Sequence, residues 1–288
     1  MNKLKKILIG VLLIIAAVLL YPYLAYPAAY VNRVLRWGNA DVYDYQKFPE
    51  RIIEASDTPL EFAYNLDEER VRTQFELAAD MDDFDSFLAA NRTQAFIVIQ
   101  NDEVIYEQYF NGAERESIVT SFSTAKSFAS TLIGIAIDEG HIHSIDNPIT
   151  DYLPELLERD SAFGNISIRN LLMMSSGIKY AEFPFVNGDD AKTYYYPNLR
   201  ELALEQTSII GEPGEFFHYN NYHPLLLGMI IERATGTSVA DYLQEKIWQP
   251  MGAEYAASWS LDEAGFEKME SGINGRAIDF AKFGQLFL

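Results

Sequence analysis

The sequence predicts an α/β protein in which a β-hairpin opens an antiparallel sheet and a series of helices follows. Two runs rich in Val, Ile, Phe and Tyr flank Asn101-Asp102 in "AFIVIQNDEVIYEQYF", a pattern typical of a hairpin. In the next segment, "STAKSFASTLIGIAIDEG", apolar residues recur at helical spacing, and later segments repeat this spacing between loops that contain Gly or Pro. We therefore expect a sheet accompanied by several helices.

The composition indicates a globular chain with a large core. Of its 288 residues, 49% are hydrophobic and 14% aromatic, which suits one large or two small domains. The 42 acidic residues outnumber the 22 basic ones and give a net charge of −20, so a nucleic-acid partner is not expected. The absence of cysteine excludes disulfides, thiolate metal sites and a cysteine nucleophile.

Residues 1–31 are predicted to form a membrane anchor. Three lysines precede an uncharged run from Ile7 to Val31, which at about 1.5 Å per residue can cross the roughly 30 Å hydrocarbon core. A secretory signal has a shorter apolar region, so we favour a single-pass, uncleaved anchor over a cleaved signal. The preceding lysines place the rest of the chain outside the cytoplasm. The run contains tyrosines that suit an interfacial belt: Tyr21, Tyr23, Tyr26 and Tyr30.

Residues 32–81 form a polar, acidic lead-in segment, and residues 82–288 form the main domain. A helix is predicted in "DDFDSFLAANRT" before the hairpin, and the long apolar helix after the hairpin ends at Gly140, a predicted left-handed cap,. Further helices are predicted in "IRNLLMMSS", "NLRELALEQ", "HPLLLGMIIERATG", "VADYLQEKIWQPMG" and "RAIDFAKFGQLFL",.

The main domain looks incomplete. A hairpin needs at least a third strand for stability, yet nothing after Phe110 resembles a comparable strand pair. The last predicted helix stops at Leu288 on an apolar residue with neither cap nor polar tail. We therefore expect the missing strands to lie beyond Leu288, in a longer gene product.

Ser123 and Lys126 are the first candidate catalytic pair. In a helix, residues three apart share one face, so the lysine amine can reach the serine hydroxyl. A serine becomes a nucleophile when a base takes its proton, and a lysine held neutral can be that base. The spacing alone is weak evidence, since Ser176 and Lys179 repeat it. We favour Ser123 because it opens a long apolar helix, whereas Ser176 sits in a turn before Gly177.

Tyr219 and Asn221 are the second candidate pair. They follow a Pro-Gly loop and precede an apolar helix, where a phenol can pass a proton and a carboxamide can hold the substrate carbonyl. A half-buried aromatic is the structural alternative for Tyr219. The similar Tyr196-Pro197-Asn198 lies in an aromatic loop with no clean helix start behind it.

Two weaker candidates lie outside these pairs. His141 and His143 have no third ligand at useful spacing, so we assign no metal and no cofactor. Asp189 and Asp190 precede the aromatic loop, where they line a substrate entrance for cationic or amide-bearing groups or form a solvated acidic loop.

These segments resemble the serine β-lactamase-related hydrolases, which include class C β-lactamases, DD-peptidases, family VIII esterases and 6-aminohexanoate-dimer hydrolases. The resemblance covers Phe84 to Leu288 and is most specific in "EPGEFFHYNNYHPLLLGMIIERATGTSVADYLQEKIWQPMG". It implies a β-lactamase/transpeptidase-like α+β sandwich with an antiparallel sheet and a helical lobe. It also implies an acyl-enzyme on Ser123, with Lys126 as base or proton shuttle, Tyr219 as its partner and Asn221 as a substrate contact.

The sequence departs from this family in two places. The family's third motif, Lys or His followed by a small residue and Gly, has no match after Tyr219, so we expect it beyond Leu288. The middle residue of the tyrosine motif is Asn220 where class C β-lactamases usually carry serine. We therefore expect an esterase or amidase rather than a β-lactamase. The alternatives are a non-catalytic, penicillin-binding-like tethered sensor or binding protein and a Ser/Lys dyad protease, which would not need Tyr219.

Overall fold

The computed structural model describes residues 3–288, which fall into two compact units. Unit 1 comprises residues 3–44, His143–Ile230 and Asp262–Glu270, and unit 2 comprises Tyr45–Ile142, Ile231–Leu261 and Ser271–Leu288. Each unit is therefore assembled from three separate stretches of the chain.

Helices and strands occur in groups along the chain. The helices are α1 (Lys3–Ala25), α2 (Ala28–Trp37), α3 (Glu68–Ala79), α4 (Phe84–Ala90), α5 (Ala125–Asp138), α6 (Pro154–Arg159), α7 (Ile168–Leu172), α8 (Asp189–Tyr195), α9 (Leu199–Glu205), α10 (Tyr222–Thr235), α11 (Val239–Leu243) and α12 (Ala277–Gln285). The strands are β1 (Glu50–Ile53), β2 (Ala63–Tyr64), β3 (Ala95–Gln100), β4 (Glu103–Tyr109), β5 (Val119–Thr120), β6 (Ala257–Ser260) and β7 (Ile273–Gly275).

The N-terminal apolar run forms two helices rather than one. The first ends at Ala25, and the second begins after Pro27, whose fixed φ suits a helix start. One stretch, Ile7–Ala25, is long and apolar enough to cross a membrane. The second helix instead belongs to the core of unit 1, because the Tyr30 side chain is fully buried there. The expectation that Tyr30 joins an interfacial belt is therefore wrong.

Unit 2 contains the predicted hairpin. Strands β3 and β4 pair antiparallel, and Asn101 and Asp102 between them adopt φ values of 52° and 64°, the left-handed pair of a tight hairpin turn. Strand β2 from the lead-in segment adds to β4 in parallel and completes a three-stranded sheet.

A second, four-stranded antiparallel sheet corrects the prediction that no strand pair follows Phe110. Its order is β1-β6-β7-β5, and Trp259 of β6 pairs with both Arg51 of β1 and Ile273 of β7. These strands are only two to four residues long, and each is defined by a partner far away in the sequence. Local alternation, which reveals a hairpin, could not reveal them.

The predicted helices after the hairpin are present, with two differences in detail. A 3₁₀ turn covers Phe122–Thr124, so the long helix begins at Ala125, and it ends before Gly140, whose φ is +79°. The aromatic stretch before Pro197, predicted as a loop, is helical as α8, with two acidic residues in its first turn that suit a helix start.

Candidate active site

Ser123 and Lys126 lie together in unit 2, one turn apart at the start of α5. The Lys126 Nζ donates a hydrogen bond to Ser123 Oγ over 3.1 Å. Ser123 is exposed and Lys126 is half-buried, so the hydroxyl is open to a substrate while the amine beside it is partly shielded. This arrangement matches what a serine nucleophile and its base require.

The turn that carries Ser123 is held in a strained conformation. Phe122 adopts φ +41°, a left-handed conformation that is unfavourable for a bulky residue and persists where surrounding contacts enforce it. Ser121 supplies those contacts: its N–H donates to the carbonyl of Ile273 over 2.7 Å, and its hydroxyl accepts from the Ile273 N–H. The edge of β7 therefore fixes the turn that presents the nucleophile.

Tyr219 and Asn221 lie in unit 1, in the turn that leads into α10. Asn220 between them is fully buried; its Oδ1 accepts from the N–H of Tyr222, and its Nδ2 donates to the carbonyl of Ile178. Asn220 thus caps the helix start and ties the turn to the preceding loop. Tyr219 itself is 42% exposed.

The Asn221 carboxamide has a defined orientation. Its Nδ2 donates to the Tyr180 hydroxyl over 2.9 Å and to Asp190 Oδ1 over 3.3 Å. A carboxylate only accepts hydrogen bonds, so the nitrogen rather than the oxygen must face Asp190. Asn221 Oδ1 is buried and accepts no hydrogen bond from the residues that the structure describes. The Nδ2 that the sequence predicted to hold a substrate carbonyl is already engaged with Tyr180 and Asp190.

A buried serine–histidine contact braces this turn. His223 Nε2 lies 2.6 Å from Ser176 Oγ, and the same hydroxyl accepts from the Ile178 N–H over 3.0 Å. Met174 Sδ carries no proton and lies 3.0 Å from His223 Nδ1, an arrangement that favours the tautomer with its proton on Nδ1, in which Nε2 accepts from the Ser176 hydroxyl,. Burial, reinforced by the neighbouring His218, lowers the pKa of His223 to about 3.

A cavity of about 250 Å³ lies beside Asn221 in unit 1. Its lining combines aromatic side chains with the carboxylates of Asp190 and Glu182. Asp189 does not face it: that carboxylate is buried and binds Tyr222, Lys192 and the N–H of Ala181. Of the two acidic residues singled out in the sequence, only Asp190 borders the cavity.

The remaining sequence candidates have structural roles. Ser176 is buried and occupied by His223, and the Tyr196 hydroxyl of the other Tyr-x-Asn accepts from Gln206 Nε2 over 2.7 Å. Within residues 3–288, no three His, Cys, Asp or Glu side chains cluster closely enough to hold a metal ion.

Sequence reasoning missed Tyr180 and the Ser176–His223 contact. Tyr180 lies 41 positions before its partner Asn221, and Ser176 lies 47 positions before His223. No local spacing in the sequence reveals contacts over such separations. The one available signal was a histidine, His223, at the head of an otherwise apolar helix.

Comparison with known proteins connects these features to one family. A family model described as Beta-lactamase matches residues 84–279. The 6-aminohexanoate-dimer hydrolase of Paenarthrobacter ureafaciens is 29% identical over 231 residues, 74% of this chain and 56% of that protein. The teichoic acid D-alanine hydrolase of Staphylococcus aureus is 26% identical over 147 residues, 50% of this chain and 33% of that protein. The chain thus spans little more than half the length of the first relative.

A solved structure extends the similarity over most of the fold. A Bacillus anthracis protein assigned by name to the 6-aminohexanoate-dimer hydrolases has a TM-score of 0.76 and 26% identity to this chain, and the match covers 88% of this chain and 68% of that one. The similarity therefore includes segments of both units, well outside the candidate site residues.

Proposed function

Because this chain belongs to the beta-lactamase family, we propose that it is a serine hydrolase that cleaves an ester or amide through an acyl-enzyme on Ser123. The observation that carries the proposal is the 3.1 Å hydrogen bond between Lys126 Nζ and Ser123 Oγ at the start of α5. Order, spacing and local geometry all favour this pair over Ser176 and Lys179.

The reaction proceeds in two stages. Lys126 takes the proton of Ser123 as Oγ attacks the substrate carbonyl carbon, and the resulting oxyanion is stabilised by backbone N–H groups near the helix start. Collapse of the intermediate breaks the ester or amide bond, and Tyr219 delivers a proton to the leaving oxygen or nitrogen. Water then attacks the acyl carbon and gives one proton to the basic member of the Lys126–Tyr219 pair; the acyl–Oγ bond breaks, the carboxylic acid leaves, and that proton returns to Ser123 Oγ. Lys126 and Tyr219 act as coupled proton carriers.

Asn221 and the adjacent cavity indicate the kind of substrate. Asn221 borders the cavity, and its carboxamide, once turned so that Oδ1 leaves its buried position, can accept a hydrogen bond from a substrate N–H there. The carboxylates of Asp190 and Glu182 at the cavity favour a cationic or amide-bearing group there. We therefore infer an amide, or an ester with a nearby amino group, as the preferred substrate class.

The same proposal places the hydrolase at the outer face of a membrane. The side chains along Ile7–Ala25 have no protein core to bury them, and Leu13 and Leu19 are each 66% exposed. An apolar helix of this length suits a bilayer, and the lysines before it favour an N-terminus on the cytoplasmic side. Residues after Ala25 would then work outside the cytoplasm. A cleaved signal sequence is the alternative origin of this helix.

Intact-mass spectrometry tests the hydrolase directly. The full chain and its Ser123→Ala variant are each incubated with a panel of activated esters, amides and β-lactams. We expect a transient mass increase equal to the acyl group in the parent protein and none in the variant. The panel member that gives the fastest turnover identifies the acyl class.

Two other outcomes would contradict the proposal. A stable adduct without turnover would favour the tethered binding or sensor protein of the same fold. Turnover that survives Tyr219→Phe undiminished would favour a dyad that uses only Ser123 and Lys126.

A further inference from the structure

Residues 182–187 form a loop between Ala181 and α8, and the two ends of this loop lie close together. Its ends are joined because the N–H of Asp189 donates to the carbonyl of Ala181 over 2.7 Å, and the Ala181 N–H donates back to the Asp189 carboxylate. At its base, a Cβ on Gly188 would lie 2.0 Å from the carbonyl oxygen of Glu182. The base is therefore tightly closed, and the rest of the loop projects from it.

The projecting part of this loop is apolar and exposed. Phe183 is 78% exposed and Phe185 is 43% exposed, and both side chains also border the cavity beside Asn221. Two exposed phenylalanines within three residues are unfavourable in water and indicate a surface that contacts an apolar partner.

The loop is attached to the end of the candidate membrane span. That span ends at Ala25, and the hydroxyl of the next residue, Tyr26, donates to Asn187 Oδ1 over 2.9 Å. The Tyr30 hydroxyl donates to the carbonyl of Val186 over 2.6 Å. The loop and the end of the span are therefore neighbours, separated only by the length of a tyrosine side chain. Both belong to unit 1.

We propose that this loop is a membrane contact, with Phe183 and Phe185 inserted at the boundary between lipid headgroups and acyl chains. Aromatic side chains favour that depth, and the hydrogen bonds to Tyr26 and Tyr30 hold the loop next to the bilayer that receives α1. The inference rests on the proposed anchor and deepens the proposed function.

The contact has a consequence for substrate choice. The phenylalanines that enter the interface are the ones that border the cavity, so the cavity takes its acyl compounds from the membrane surface. Amphiphilic esters or amides, concentrated in the lipid phase, are then cleaved in preference to soluble ones that carry the same acyl group.

The absence of cysteine makes a site-specific test available. Phe183→Cys in the full chain is labelled with an environment-sensitive nitrobenzoxadiazole and reconstituted into phosphatidylcholine–phosphatidylglycerol vesicles that contain nitroxide-labelled lipid. Phe87→Cys is the control, because Phe87 is also an exposed phenylalanine but belongs to α4 in unit 2 rather than to the loop of unit 1. We expect quenching of the label at 183 to exceed that at 87 by about twofold or more.

Equal quenching at both positions, or none at 183, would overturn the proposal. If the full chain did not float with vesicles, the proposed anchor would be contradicted, and that result would overturn the proposed membrane contact as well. Ser123-dependent turnover of a soluble ester, measured on the unlabelled parent chain, reports the hydrolase separately, so a failed membrane contact is distinguishable from a failed enzyme.

A second readout concerns activity at the surface. Phe183→Ser is expected to lower the ratio of turnover of a vesicle-embedded ester to that of its soluble short-chain counterpart by about threefold, while the Phe87→Ser control keeps the parent ratio. An unchanged ratio in Phe183→Ser would show that the loop does not deliver substrate from the membrane.

Discussion

The Ser123 turn in unit 2 and the Tyr219–Asn221 turn in unit 1 present their side chains by different means. The first depends on a contact between residues three apart and on a strained Phe122 at the edge of β7. The second depends on buried polar contacts with a loop some 40 residues earlier, through Ile178 and Ser176. The Ser123–Lys126 contact is therefore set by local geometry, while the Tyr219–Asn221 turn requires a long-range scaffold.

The largest expected effect comes from comparing Ser123 with Ser176, the serine that contacts the Tyr219–Asn221 turn through His223. Ser123→Ala should lower turnover by about 10⁴-fold, because no other hydroxyl replaces the nucleophile, and should leave the free energy of unfolding nearly unchanged at this exposed position. Ester turnover and urea unfolding measure the two quantities. Ser176→Ala is the matched variant, and a similar loss of turnover with unchanged stability there would reverse our assignment.

The two lysines provide the next comparison. Lys126→Ala should lower kcat by about 10² to 10⁴-fold, the range for loss of a proton-transfer group. Lys179→Ala removes the exposed lysine of the other Ser-x-x-Lys and should leave kcat within about twofold of the parent value. Single-turnover acylation kinetics measure both, and equal effects would mean that the 3.1 Å contact has no catalytic role.

The brace in unit 1 should affect stability more than chemistry. Ser176→Ala leaves the Ile178 N–H and His223 Nε2 without their partner, which should lower the free energy of unfolding by about 2 kcal/mol. Ser175→Ala, at the neighbouring half-buried position, serves as the control. A double-mutant cycle with His223→Gln should show coupling, and strict additivity would argue against the contact.

His223 also gives this brace a pH dependence. Burial lowers its pKa to about 3 from an ordinary 6.5, so between those values the unfolded chain takes up a proton that the folded chain excludes. Stability is therefore lost as the pH falls below 6.5, by about 2 kcal/mol between pH 7 and pH 5. Urea unfolding at the two pH values should show a correspondingly smaller loss in His223→Gln, while His141→Gln, at a surface histidine, keeps the parent loss.

The smallest effect is expected at the cavity. Asp190→Asn removes one exposed carboxylate and should raise KM for an amino-bearing amide by about fivefold, the scale of a partly screened charge interaction. For a neutral amide of the same shape, KM should change little. Equal changes for both substrates would indicate that Asp190 positions Asn221 rather than binding a cation.

The sequence predicted the elements that are defined locally. The hairpin was recognisable because its turn residues and both strands are contiguous, and α5 because its apolar positions repeat at helical spacing. The resemblance carried by the Ser123 and Tyr219 segments predicted the family, which the match over residues 84–279 confirms. The roles of the four candidate site residues remain predictions.

Long-range pairing accounts for what the sequence did not reveal. Strand β7 is three residues, Ile-Asn-Gly, with no strand signal of its own, and it exists because β6 and β5 pair with it. Tyr30 likewise resembles a membrane-interface tyrosine in the sequence. In the structure it lies in a protein core, where its hydroxyl donates to the carbonyl of Val186. The partners β5 and Val186 lie about 150 residues from β7 and Tyr30, too far along the chain for any sequence window to include them.

The interleaving of the two units also governs how the protein is made. Unit 1 needs Asp262–Glu270 and unit 2 needs Ser271–Leu288, so neither can close until nearly all of the chain described here has left the ribosome. Two strand pairs of unit 2, β1 with β6 and β5 with β7, join stretches synthesised far apart in time, an ordering that makes folding slow. Both units therefore complete their folding only after the last of their stretches has been synthesised.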